Sequence, residues 1–549
     1  MIITCGATKD GSMIVTHSDD NELSDQRLIF VPAQDHSPGS MRKIVAGIND
    51  GYPRLVSKDR GPGYDTEGWP ETPPIGEIPQ VAHTYAYFDG SYGIMNEHNL
   101  MFGECTNGAK YMPQNPVTQE QAEKTGQHCR LFYSAELSRI ALERCKFARD
   151  AVELMGALID EYGYFSTGET LLVADEKEAW VFEMCALPDT EYHSAWIAQR
   201  VPDGTVFVAA NEFRIREITP NSEDQIFSSL LLSGLKKLGW LPTEGPVDWL
   251  SAISEGEYNH PYYSLRRVWR VFDRVNPDLG LSPWVTDGFT TDYAFSISPK
   301  DKLEVKDIFA LYRDHYEGTQ FDMTKGIAAG PYGDPTRFYG SYDGASYDVS
   351  EHKLYGAWER PVSVFYQGYT YVLQTRPKAP ELTKGVCWYG PDVSYTTCFV
   401  PFLAKAEQLS KTYQIGDPQK FSRDAAWWAF DFVANWARLN FQRICKTDIQ
   451  PLQLSLEEAQ TKLIEEWDLK VSQGCSRDEL TALCNTNADA VVKVWWELAD
   501  RLIAKYSDGY INPKPSRPQN TMAIGIGYSS DWLRLTNYKN GPISYDMQL

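Results

Sequence analysis

The sequence predicts an α+β protein: antiparallel sheets covered by helices, with a helical extension at the C-terminal end. Three observations lead there. Strand patterns come in clusters joined by tight turns instead of alternating singly with helices, and clustered strands favour antiparallel pairing. Residues 136–162 carry apolar side chains at helical spacing. From about residue 411 the chain turns helix-like and rich in tryptophan, with Trp427, Trp428 and Trp436 close together.

Each element follows from local chemistry. Residues 5–20 read as a hairpin, because Asp10-Gly11 separates two β-rich runs and tolerates the positive φ of a two-residue turn. With that turn, Cys5 stands opposite Thr16 and Thr4 opposite His17, so His17 lies beside the Cys5 thiol. Residues 49–79 are rich in glycine and proline and lack periodicity, the pattern of a binding loop or lid. Strand patterns follow at 82–87 and 100–103. One long helix is expected over 136–162, with Leu137, Ile140, Ala141, Ala148, Val152, Met155 and Leu158 on one side and Gly163 as its stop. Strands return at 170–175, 179–184, 195–200 and 205–211. Further helices are expected at 457–471 and 488–505. No internal repeat or low-complexity tract is present.

Composition sets limits. A chain of 549 residues has room for two to four domains of about 150 residues, or one large domain with an appendage. Its 52 basic and 74 acidic residues leave a net charge of −22, which disfavours nucleic acid and anionic membranes as partners. No stretch approaches the ~20 apolar residues of a spanning helix; the most apolar, 425–437, is interrupted by Asp431. With no signal-like leader, the cytoplasm is the expected location. The ten cysteines show no CxxC and no paired spacing, so neither a zinc site nor a disulfide framework is indicated.

The candidate chemistry centres on Cys5. Cutting after Thr4 would put a free amine on the residue that bears the thiol, joining nucleophile and base in one residue. Other motifs are weaker. The acidic run 19–22 could attract a hard cation, but it lacks the glycine and spacing of a calcium loop. Asn96-Glu97-His98 is not an HExxH motif. His315 reads as a hydrogen-bonded structural histidine more readily than as a base. Arg266 and Arg267 fall on a helical run, where neighbours diverge and at most one faces a site.

Lys9-Asp10-Gly11-Ser12-Met13-Ile14-Val15 after a near-terminal cysteine resembles the pepD-type cysteine dipeptidases (dipeptidase A) of the N-terminal-nucleophile hydrolases, with the secernins as relatives. Met95-Asn96-Glu97-His98, Gly103-Glu104-Cys105-Thr106, Asp314-His315-Tyr316-Glu317-Gly318-Thr319 and Gln374-Thr375-Arg376 extend the resemblance along residues 5–410. It implies a four-layer αββα sandwich over 5–410, a propeptide 1–4 removed by autoprocessing, and a helical extension 411–549. By the same resemblance Cys5 is the nucleophile and Asp20 holds its amine. Asn211 orients that amine or donates to the oxyanion, and Arg267 stabilises negative charge. His17 stands where relatives usually have arginine, a departure from the pattern. Glu104 and Asn96 are the substrate-binding candidates. The implied activity is dipeptide hydrolysis through a thioester, with no metal and no cofactor. The alternatives are an amidase of N-acyl amino acids and a non-catalytic, secernin-like interaction protein. The expected partner is a small peptide, and self-association is left open.

Overall fold

The computed structural model describes residues 1–21, 24–47, 51–188, 192–242, 245–258, 262–285, 287–337, 360–512 and 523–538. Two antiparallel sheets dominate it. The seven-stranded sheet runs β16 (Ser296–Ile297), β14 (Val206–Phe207), β1 (Ile2–Ile3), β2 (Met13–Asp19), β17 (Tyr369–Thr375), β18 (Gly385–Pro391), β19 (Val400–Leu403). The eight-stranded sheet runs β15 (Gln225–Phe227), β13 (Ser194–Arg200), β12 (Ala179–Ala186), β11 (Gly168–Ala174), β10 (Met101–Asn107), β9 (Gly93–Asn96), β8 (Tyr87–Asp89), β3 (Ile29–Val31). Two small ribbons, β4 (Gln34–Asp35) with β7 (His83–Thr84) and β5 (Met41–Ile44) with β6 (Gly76–Pro79), lie beside them.

Strand alternation divides the apolar residues between faces. Met13 and Val15 of β2 share a core with Met101 of β10 and with Leu172 and Ala174 of β11, so the two sheets face each other. Phe102, Leu171 and Val173 point the other way and pack under the helices Ser134–Arg144 and Ala148–Tyr162. Ile14 and Ile3 point outward from the seven-stranded sheet, toward the helices Leu265–Val275 and Val305–Tyr312. The C-terminal helices Ala426–Ala437 and Arg477–Lys505 pack on β18 and β19. Glu457, on the helix Gln450–Ser472, pairs with Arg313 and accepts from the Phe399 amide at 3.1 Å. The helical part beyond 411 therefore packs against the sheet. Among the described residues no helix is long and apolar enough to cross a membrane.

Three expectations are corrected. First, β1 pairs with β2 through Ile2↔Val15 and Ile3↔Ile14, and Thr16 N–H donates to Met1 O at 2.9 Å. Cys5 therefore does not stand opposite Thr16. The chain leaves the ladder at Thr4, whose side chain donates to Pro202 O and Thr205 O, and Cys5–Ala7 form a 3₁₀ turn. Second, residues 136–162 are two helices. The Asn96 carboxamide donates to Leu142 O at 2.9 Å and Cys145 O at 2.8 Å, satisfying carbonyls where the first helix stops. Third, the loop expected over 49–79 is pinned rather than free from residue 51 onward; residues 49–50 lie outside the described residues. Buried Arg60 grips Glu136 at 2.8 and 2.6 Å, and buried Arg54 donates to Asp25 O, Arg27 O and Asp89 O.

Gly103 sets the distance between the sheets at β10. A Cβ there would lie 2.9 Å from Thr16 O and 3.3 Å from side-chain atoms of both Leu172 and Val15. Gly103→Ala is expected to push the sheets apart and cost roughly 1–3 kcal/mol, the usual range for overpacking. A lower urea midpoint at unchanged m-value checks it.

Candidate functional site

The head of β1, the C-terminal end of β2, the C-terminal half of β10 and the segment after β14 converge on one cavity of about 270 Å³. Strand β2 supplies His17 and Asp19, with Asp20 just beyond it; β10 supplies Glu104, Cys105 and Thr106. Asn211 and Arg267 close a third side, and Arg360 a fourth. The Met1 amine lies on the wall, donating to Thr16 O at 3.1 Å and Thr16 Oγ1 at 3.0 Å. Burial lowers its pKa to about 5.

The charged groups are paired. His17 Nε2 meets Glu104 Oε2 at 3.0 Å, both nearly enclosed. Glu104 Oε1 also accepts from Thr106 Oγ1 at 2.8 Å. Arg360 donates to Asp20 Oδ2 at 2.5 Å and to the Tyr366 hydroxyl at 2.7 Å, and it also donates to the Tyr263 hydroxyl. Arg267 donates to Asn211 Oδ1 at 2.8 Å and to Tyr263 O at 2.9 Å. Asn211 takes a left-handed φ of 60°, which asparagine tolerates. Its Nδ2 donates to Thr106 O at 2.7 Å and its backbone N–H to Cys105 Sγ at 2.8 Å. Burial pushes the Cys105 thiol up to about 12.

Five of the seven site candidates read from the sequence line this cavity: His17, Asp20, Glu104, Asn211 and Arg267. The other two do not. Asn96 is fully buried in helix capping, and its Oδ1 accepts from the His98 and Leu100 amides. Cys5 sits at the opposite end of β1, four residues from Met1, or about 13 Å along a strand. Its Sγ lies 3.7 Å from Glu176 O. Its pKa is raised, by partial burial first and then by Asp203, with Asp175 and Asp10 adding. That acidic surrounding opposes thiolate formation. Residues 1–4, expected as a removable leader, are buried, and β1 lies between β14 and β2 in the sheet. Asp20, expected to hold the Cys5 amine, pairs with Arg360.

Sequence reading missed Arg360, Tyr263 and Tyr366, which no local motif marks. Of the two neighbouring arginines, Arg267 reaches the site, while Arg266 stacks on Tyr262 and Phe321. His315 is buried against Tyr395, with Nδ1 3.2 Å from Glu317 Oε1, a structural placement. Among the described residues no three metal-ligating side chains cluster; Glu22 lies outside those residues.

Asp19 carries a pH signature. Burial pushes its carboxyl up to about 6; Glu104 and Asp20 add to this, while His17 and the Ser91 hydroxyl at 2.8 Å oppose it. Its folded pKa exceeds the unfolded value of about 3.9, so the folded state holds more protons between about pH 4 and 6. Stability from this group is therefore lost as pH rises through that window. Asp19→Asn is expected to remove that fall, read from urea midpoints at the two ends of the window.

The sequence pattern of Peptidase family C69 matches residues 95–453. A "Probable dipeptidase" of Salmonella dublin is 30% identical over 285 residues, covering 51% of this chain and 56% of that protein. A "Probable dipeptidase" of Latilactobacillus sakei is 26% identical over 317 residues, 58% of this chain and 59% of that protein. A "Dipeptidase" of Bifidobacterium longum is 24% identical over 311 residues, 54% of this chain and 52% of that protein. The matches span a little over half the length of these relatives. With the family pattern covering well over half of its residues, the chain belongs to peptidase family C69.

Proposed function

We propose that this chain hydrolyses dipeptides in the cavity at the head of β1, by acyl transfer to a thiol and then to water. We read its frame as the four-layer αββα sandwich of N-terminal-nucleophile hydrolases. The packing order supports that: helices Ser134–Arg144 and Ala148–Tyr162, the eight-stranded sheet, the seven-stranded sheet, then the helices Leu265–Val275 and Val305–Tyr312.

The observation that carries the substrate class is a pair of buried acceptors without donors. An ionised Glu104 only accepts, so His17 Nε2 bears the hydrogen, and in this reading Nδ1 carries a lone pair. Among the described residues no partner reaches His17 Nδ1, and none reaches Asp20 Oδ1. An unpaired buried acceptor costs about 1–3 kcal/mol, so the site favours a ligand that brings donors. The α-ammonium of an unblocked peptide brings three; an N-acyl amino acid brings no ammonium. A volume of about 270 Å³, just under the ~300 Å³ where ligand pockets begin, suits a dipeptide better than a longer chain. The relatives named dipeptidases support the same reading.

In this reading the attacking thiol acts from the cavity wall, not from position 5. Cys105 is the thiol that lines the cavity among the described residues, with the Asn211 amide on its sulfur. Its raised pKa makes it a neutral thiol that needs a base, and His17 lines the same space. As the S–C bond forms, the thiol proton passes to the base. The C–N bond then breaks, the leaving amine takes that proton, and water cleaves the thioester.

Unblocked dipeptides are expected to release free amino acids, with the matching N-acetyl dipeptides turned over far more slowly. Cys5→Ser should retain the rate, and a dipeptide-derived alkylating reagent should label a cavity residue. Preference for the N-acetyl substrates overturns the substrate class. Labelling of Cys5, with turnover lost in Cys5→Ser, overturns the placement. Asp20→Asn is expected to lower kcat/KM by roughly 10²-fold, equal to about 3 kcal/mol of transition-state stabilisation.

A further inference from the structure

Behind His17 lie two carboxyl groups, and only one of them touches the cavity. The β10–β11 register sets Glu104 opposite Leu171 and Thr106 opposite Glu169. Glu104 and Glu169 are therefore diagonal neighbours on one face of the sheet. Glu169 is fully buried, and the Glu104 side chain is 6% exposed. The oxygens of Glu104 accept from Thr106 and His17. Glu169 Oε1 accepts from the Tyr133 hydroxyl at 2.6 Å and the Thr167 hydroxyl at 2.9 Å. Among the described residues no donor reaches the buried Glu169 Oε2, and the register sets this carboxyl diagonally beside Glu104. Tyr133, Tyr164, Tyr258, Cys105 and, across His17, Asp19 surround the pair.

Two ionised carboxylates buried side by side repel, so one of them keeps a proton. We propose that Glu169 is a positioning residue: it keeps one proton between itself and Glu104, so the pair carries a single negative charge and holds His17 with hydrogen on Nε2 and a lone pair on Nδ1. The neighbouring electrostatics agree. Burial, with the Glu104 charge next, pushes Glu169 well above the carboxylate range. Burial would raise Glu104 too, but the His17 hydrogen bond leads the interactions that hold it low. Such a split between adjacent acids assigns the proton to one and the charge to the other. Without that proton Glu104 would face His17 as an undamped charge, or stand beside a second one, and would draw a proton onto the ring and fill Nδ1. The shared proton keeps that lone pair open. The inference rests on the dipeptidase reading only where it gives the lone pair to a substrate; the tautomer itself does not depend on turnover.

Side-chain ¹⁵N NMR of the full, unliganded chain tests it, with His17→Gln used to assign the signal. The unmodified protein should show a protonated, pyrrole-type Nε2 and a pyridine-type Nδ1. Glu169→Gln should preserve both, because the carboxamide donates to Glu104 without adding charge. Glu169→Ala should lose the pattern, and with it kcat/KM for dipeptides, while Glu169→Gln restores both. An unchanged His17 pattern in Glu169→Ala overturns the positioning role. A His17 that changes protonation in Glu169→Gln overturns the shared proton. The expected NMR pattern in a chain that cleaves no dipeptide sinks the dipeptidase reading and leaves this inference standing.

Discussion

The site depends on the close approach of β10 to β2. Gly103 has no side chain to hold the strands apart, and the backbone of β2 lies where its Cβ would be. That approach lets His17 of one sheet reach Glu104 of the other, and the bond between them joins the walls of the cavity. A larger residue at 103 would separate the sheets and the pair together. Packing and chemistry are thus set by one contact, because a protein interior at crystal-like density cannot open locally without moving its neighbours.

Around that contact, buried charge is handled by pairing. Asp20 with Arg360 puts opposite charges together, and His17 shares a hydrogen bond with Glu104 where both side chains are nearly enclosed. The same device recurs under the loop beyond residue 51, where Arg42 and Arg60 share Glu136 and Arg42 also holds Glu143 at 2.8 Å. Buried pairs add little net stability over apolar packing, but breaking one is costly. They therefore fix position more than they add strength. The loop is anchored on one such network, and the cavity wall is set by another.

Much of the architecture was legible in local patterns. The strands near 170, 180 and 195 and the stop at Gly163 follow from β-branched runs and from a glycine at φ 75°. The break between the two helices was not legible, because the residue that ends the first is Asn96, some fifty positions earlier. The pairing of β1 was misread for a related reason. Asp10-Gly11 is a sound turn signal, and Ser12 does close on the Asp10 side chain. But β1 sits between two neighbours, and its ladder to β14 and the contacts of Thr4 with Pro202 and Thr205 decide where it leaves the sheet.

The sequence by itself determined the family, many of the element types and several polar residues that line the cavity, since these rest on side-chain identity and short-range spacing. Tertiary structure alone decided which thiol faces the cavity, which carboxylate stands behind which histidine, and that Arg360 answers Asp20 across 340 residues. The physical reason is that a strand's register places every side chain along it at once. A shift of four residues in β1 is invisible in composition, yet it moves a thiol by about 13 Å, from the site to the far end of its strand.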